Sequence, residues 1–125
     1  IFLSAPYGLG IDQQALPVLA HLFAHLTRGL MPVEVRGDVE WMVNRTADGW
    51  LVTLLNAAGQ SKPQHGITPT DFRENREVTI RSGLPLRSAR DRLLPDARLE
   101  VAREGEGAAV SLTVPAGSVR IIELQ

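Results

Sequence analysis

One stretch constrains the fold more than any other: residues 39–56, VEWMVNRTADGWLVTLLN. Val39, Trp41 and Val43 alternate with Glu40, Met42 and Asn44. After Thr46-Ala47-Asp48-Gly49, the residues Trp50, Val52 and Leu54 alternate with Leu51, Thr53 and Leu55. Two β-rich runs joined by a short segment ending in Asp-Gly predict a hairpin. The expectation at Gly49 is a positive φ, which glycine adopts without steric cost, with Asp48 in the turn. The second run is apolar on both faces, which predicts a central strand covered on both sides. Both tryptophans lie here, and each is a large apolar block that needs cover. The hairpin is therefore expected to form the core.

Period changes on either side divide the chain. Residues 1–4 form a short apolar run that Ala5-Pro6-Tyr7-Gly8-Leu9-Gly10 interrupts. Asp12 is the expected N-cap of a helix over residues 15–30, in which Ala15, Leu19, Leu22, Phe23, Leu26 and Leu30 fall at helical spacing. Gln14, His21, His25 and Arg28 line its other side, Pro17 sits early, and Gly29 and Pro32 end it. Residues 30–37 read as a connector. Residues 57–75 have no sustained period and read as a long loop, of the kind that often contacts something. Strands are predicted over residues 76–81 (Val78 and Ile80 inward), near 86–93, over 98–103 (Leu99 and Val101 inward), 108–114 and 119–124. Glu104-Gly105-Glu106-Gly107 and Pro115-Ala116-Gly117 supply turns. Many short strands at fairly regular spacing predict a mainly β fold: an antiparallel β-sandwich over residues 34–125, preceded by an N-terminal strand-helix (βα) segment over residues 1–33.

The bulk numbers narrow the function classes. A chain of 125 residues supports one domain with a real core. Thirteen basic against fourteen acidic residues leave a formal charge of −1, which argues against a nucleic-acid partner. No run is long and apolar enough to span a bilayer, so no membrane partner is expected. Cysteine is absent, which removes disulfides and thiolate metal sites and leaves the compartment open. The chain starts inside an apolar run, Ile1-Phe2-Leu3, and the expectation is a piece of something longer.

Each candidate for chemistry has a plainer reading beside it. His21 and His25 are four apart and could face one metal ion, but Leu22 stands where a zinc-protease helix needs Glu, and His65 lies in a distant loop. A polar helix face is the plainer reading. Gly8-Leu9-Gly10 precedes a helix as in a dinucleotide loop, but Gln13 replaces the third glycine; a simple turn suffices. Asp38, Glu40, Asp71, Glu74, Asp91 and Glu123 are the carboxylates available for an acid/base pair across a cleft. Solvated charge on strands and turns is the alternative. Asn44-Arg45-Thr46 fits a glycosylation pattern and serves equally as turn chemistry. Trp41 and Trp50 could form a sugar platform, which exposed Tyr7 or Phe72 nearby would favour, or stack within the core or against the preceding helix, and packing is the reading preferred. No catalytic residue, metal ligand or cofactor is assigned.

Residues 89–93 (Ala-Arg-Asp-Arg-Leu), the run 110–114, Pro115, and Val119-Arg120-Ile121-Ile122-Glu123-Leu124 resemble the C-terminal β-domain of many glycoside hydrolases. Phe2-Leu3-Ser4-Ala5-Pro6 and the helix after Asp12 resemble the end of a class I glutamine-amidotransferase-like domain, which precedes the β-domain in some β-galactosidase-like enzymes and serves trimerisation there. The resemblance implies a non-catalytic C-terminal accessory domain of a larger glycoside-hydrolase-like enzyme. Its partners would be the upstream domains of the parent chain and a homo-oligomer. The catalytic carboxylates of such enzymes lie upstream, so none carries over to a position here. Amidotransferase activity does not carry over either, because Cys and a His-x-Glu motif are lacking. A carbohydrate-binding module and a small independent hydrolase are the two alternatives.

Overall fold

Beyond Pro32 apolar and polar residues alternate with period two, and the backbone follows that alternation as strands. The computed structural model describes residues 16–27, 30–59 and 70–125, in two units, Ile1–Pro32 and Val33–Gln125. The expected strand at residues 1–4, the loop at Gly8-Leu9-Gly10, the Asp12 cap, Tyr7, Gln14, Arg28, Gly29 and His65 lie outside the described residues. The first unit contributes one helix, α1 (Leu16–Thr27). Pro17 sits in its first turn, where a missing amide costs no intrahelical bond.

The second unit is an antiparallel β-sandwich of β1 (Val33–Arg36), β2 (Glu40–Arg45), β3 (Trp50–Leu55), β4 (Arg76–Ser82), β5 (Ala89–Asp91), β6 (Val101–Glu104), β7 (Gly107–Val114) and β8 (Val119–Leu124). Sheet I has the order β1-β4-β7-β6, and sheet II the order β2-β3-β8-β5. The mainly β, sandwich reading of the sequence is thus the observed fold. Its core is Val33, Val35, Val78, Ile80, Val110, Leu112 and Val114 from sheet I against Val52, Leu54, Ile122 and Leu124 from sheet II. These are alternate residues of each strand, as two facing sheets require.

The structure corrects several expectations. Residues 30–37 are not simply a connector, because Val33 and Val35 are buried and Glu34 and Arg36 exposed in strand β1. Four residues between Pro32 and Gly37 are too few for a periodic signal to stand out. The strand expected near 86–93 shrinks to three residues, and that expected from Arg98 begins at Val101, with Arg98 making only an isolated bridge to Arg90. β3 is central, but only its Val52–Leu54 face is buried; Leu51, Thr53 and Leu55 are half-exposed.

The expected hairpin β2–β3 forms, with Glu40 opposite Leu55 through Arg45 opposite Trp50. Its turn works differently. Gly49 does not have a positive φ. A Cβ at this position would run into the carbonyl oxygen of Leu124, so glycine is needed because β8 passes against its Cα. Gly49→Ala is expected to destabilise the chain by roughly 1–3 kcal/mol through that overlap. An unchanged melting temperature would show that the end of β8 yields freely.

Candidate functional site

The two sheets turn different surfaces outward. On sheet I the outer residues are Glu34 and Arg36 of β1, Glu77, Thr79 and Arg81 of β4, Ala109, Ser111 and Thr113 of β7, and Ala102 and Glu104 of β6. Its polar groups pair with one another, although Arg81 Nε is buried without a hydrogen-bond partner among the described residues. Arg36 pairs with Glu34 at 3.1 Å, and Thr113 donates to Glu77 at 2.7 Å. The Thr79 and Ser111 hydroxyls lie 3.1 Å apart. Arg81 Nε sits 3.2 Å from Glu104, while the hydrogen bond of that pair runs through Nη2 at 3.4 Å. This is an ordinary solvated face.

Sheet II is different. Register places Met42, Thr53 and Ile121 in one outward row, and Leu55 and Val119 in the row beside it. Leu51 lies between Asn44 and Glu123 in a third. Met42 is 56% and Val119 41% exposed, while Leu51, Leu55 and Ile121 are half-buried. Five apolar side chains thus surround Thr53 on the outward face, with Glu40, Asn44 and Glu123 at the ends of their rows; clustered exposed apolar residues are a common mark of an interaction surface.

Between the sheets lies a buried ion pair that sequence reading missed. Asp91 is 2% exposed, not solvated as expected, and Arg120 is 9% exposed. Arg120 Nε donates to Asp91 Oδ2, and its Nη1 donates to the Thr113 carbonyl of sheet I at 3.3 Å. Asp91 Oδ1 also accepts the amides of Leu93 and Leu94 at 2.8 and 3.0 Å. The signal was available: Arg120 and Asp91 share the parity of the buried Ile122 and Leu124 once β8 and β5 are paired. The pair is satisfied on both sides and enclosed, which suits a structural strut joining the sheets.

The other carboxylates picked from the sequence do not form a free acid/base pair. Asp38 and Glu74 come together only through Arg76, whose Nε and Nη1 reach them at 3.2 and 3.0 Å. Glu123 meets Arg92 at 3.5 Å, and Glu40 is exposed at the start of β2. Asp71 binds Arg73 through a side-chain pair at 2.7 Å and accepts the Arg73 amide at 3.0 Å. The Arg73 side-chain hydrogen bond, and then its amide, hold the Asp71 pKa below the usual 3.8. The sign follows: these bonds stabilise the loop above the ordinary aspartate pKa and are lost as pH falls through the lowered one. A carboxyl-carbon NMR titration should give a midpoint below 3.8 for Asp71; a midpoint at or above that value would remove the Arg73 contact in solution.

Asn56, 1% exposed, ties the end of β3 to its surroundings, donating to the carbonyls of Glu74 and Val114 at 2.9 and 3.0 Å and accepting the Ala58 amide at 3.0 Å. His21 and His25 are both exposed on α1. Among the described residues, no group of three or more His, Cys, Asp or Glu could hold a metal ion. A cleft of about 290 Å³ lies between Pro85-Leu86 and the β6–β7 turn, with Arg103 and Glu106 on its walls. None of the carboxylates singled out above lines it. Trp50 packs on the core with the Arg45 guanidinium 6.0 Å from its ring centre. Trp41 is 46% and Phe72 76% exposed. Trp41 and Trp50 lie on the same sheet face but two rows apart, with the Val43–Val52 row between them. Comparison with family models, with curated proteins and with solved structures returned no match.

Proposed function

We propose that this chain is a non-catalytic accessory β-sandwich of a larger glycoside-hydrolase-like enzyme, where it buttresses the parent through the outer face of sheet II. The observation that carries the reading is the contrast between the two outer faces. Sheet I closes its charges on itself, whereas sheet II turns Met42, Leu51, Leu55, Val119 and Ile121 outward. An apolar face of this kind suits the permanent contact of one domain with the next better than a transient one. The resemblance of residues 89–93 and 110–124 to the C-terminal domains of such enzymes supports this choice of parent class. The strut Asp91–Arg120 falls within those segments and supports a rigid, load-transmitting role rather than chemistry.

The test has two arms. Purified alone, the 125-residue chain is expected to turn over no aryl-glycoside in a broad panel. Turnover that disappears on replacing one of its carboxylates would overturn the proposal in favour of an independent hydrolase. In the natural full-length protein, Ile121→Lys should lower the melting temperature by clearly more than in the isolated chain, where Ile121 is already half-exposed. Equal effects in both would show that nothing covers this face.

A second reading rests on the exposed rings of Trp41 and Phe72. In it the chain binds carbohydrate. Quenching of tryptophan fluorescence by neutral oligosaccharides, lost in Trp41→Ala, would favour it over the buttress.

A further inference from the structure

A sheet edge presents unpaired N–H and C=O groups, and sandwiches blunt their edges by shortness, charge or cover. Among the described residues, three of the four edges are blunted. β1 and β6 have four residues each; β6 ends in Arg103-Glu104, and β1 reads Val-Glu-Val-Arg. β5 has three, and Arg98 bridges to its Arg90. β2 is the exception. It is six residues long, reads Glu-Trp-Met-Val-Asn-Arg without proline or lysine, and is exposed at every position but Val43. It also carries Trp41 and Met42, 46% and 56% exposed.

The ladder fixes which of its groups are free. Thr46 N–H donates to the Gly49 carbonyl at 2.9 Å. Hydrogen-bonded pairs alternate in an antiparallel ladder, so Asn44, Met42 and Glu40 direct their main-chain groups toward β3. The N–H and C=O of Trp41, Val43 and Arg45 therefore point away from the sheet.

We propose that β2 is a self-complementary dimerisation edge, in which a second copy of this chain adds its own β2 antiparallel to the first about a two-fold axis at Val43. The axis stands perpendicular to the sheet, so both core faces stay on one side and facing residues keep the same parity. In this register Val43 meets Val43 of the partner subunit, and Trp41 meets Arg45 of the partner subunit. All three residues with free main-chain groups find partners. Arg45 already lies over Trp50 of its own chain. Pairing places Trp41 of the partner subunit on its other side, so each guanidinium is flanked by two indoles, a favourable cation–π arrangement. The same register sets Met42 opposite Asn44 of the partner subunit on the outer face. A two-fold at Met42 instead leaves Arg45 unpaired and places Trp41 against Val43, which gives up the cation–π row. The charge and ring pattern of the strand thus selects its own reverse.

The native chain has no cysteine, so single cysteines report the register cleanly. Met42 and Asn44 are both exposed, so the variants leave the core intact. Under mild oxidation, a mixture of Met42→Cys and Asn44→Cys should cross-link the two variants to each other in preference to either with itself. Sedimentation of the full chain should show a concentration-dependent rise to twice the monomer mass. Over the same range the amides of Trp41, Val43 and Arg45 should become protected from exchange. Trp41→Lys, which sets a cation against Arg45 of the partner subunit, should abolish all three effects. So should Arg45→Glu, which leaves Trp41 in place. A chain that stays monomeric to its solubility limit would overturn the proposal. So would Met42→Cys cross-linking to itself, or a dimer in which those three amides still exchange freely.

Discussion

Asp91→Ala is expected to cost the chain about 3–5 kcal/mol, the loss seen when one member of a buried ion pair is removed. The reason is not the strength of the pair but what its loss leaves behind. Arg120 is 9% exposed, between the sheets, and its guanidinium would keep only the Thr113 carbonyl at 3.3 Å. The amides of Leu93 and Leu94 would lose their acceptor as well. A net stability of 5–15 kcal/mol is usual for a domain, so a loss of this size brings the chain near its unfolding threshold. Asp91→Asn should cost less, since an amide oxygen still accepts. Asp91→Ala combined with Arg120→Met should recover much of the loss, because no buried charge then remains unpaired. Urea denaturation of the three variants decides the matter. If the double variant is no more stable than Asp91→Ala alone, the penalty comes from the Leu93–Leu94 turn and not from the stranded guanidinium.

The second large effect is expected at Leu54. Leu54→Ala should destabilise by about 2–5 kcal/mol, as large-to-small changes in packed cores do. Leu54 is 0% exposed on β3, with Trp41 of β2 and Arg120 of β8 as its cross-strand neighbours. The cavity would open beside the strut, where Arg120 cannot collapse inward without breaking its bond to Asp91. Leu51→Ala, on the outer face of the same strand, should cost far less. A denaturation midpoint unchanged by Leu54→Ala would remove the hairpin from the core.

The hairpin, the long strands and the inward residues were legible because period-two alternation survives over six to eight residues. Val78 and Ile80, or Val110, Leu112 and Val114, announce their face by position alone. β1 was not legible: four residues give one repeat of the pattern, and Pro32 and Gly37 on either side read as breakers. Gly49 was singled out correctly but for the wrong reason. Asp-Gly at the end of a turn suggests a backbone conformation, whereas the need here is steric and comes from Leu124, seventy-five residues along the chain.

The candidate sites divide in the same way. Residue type alone listed Asp91 among six equivalent carboxylates. Only the pairing of β5 with β8 put it on the core side beside Arg120. Likewise the sequence marked β3 as apolar on both faces and implied cover for each. The sandwich has one interior, so only the Val52–Leu54 face is buried within it, and Leu51 and Leu55 are turned outward. By itself, then, the sequence determined where the longer strands form and which way their side chains alternate, since both follow from local sterics and from burial on one face. Which strands become neighbours, which carboxylate acquires an arginine, which glycine must stay bare and which edge is left open were decided by the tertiary structure. Those depend on contacts between residues far apart in the chain, and no local pattern encodes them.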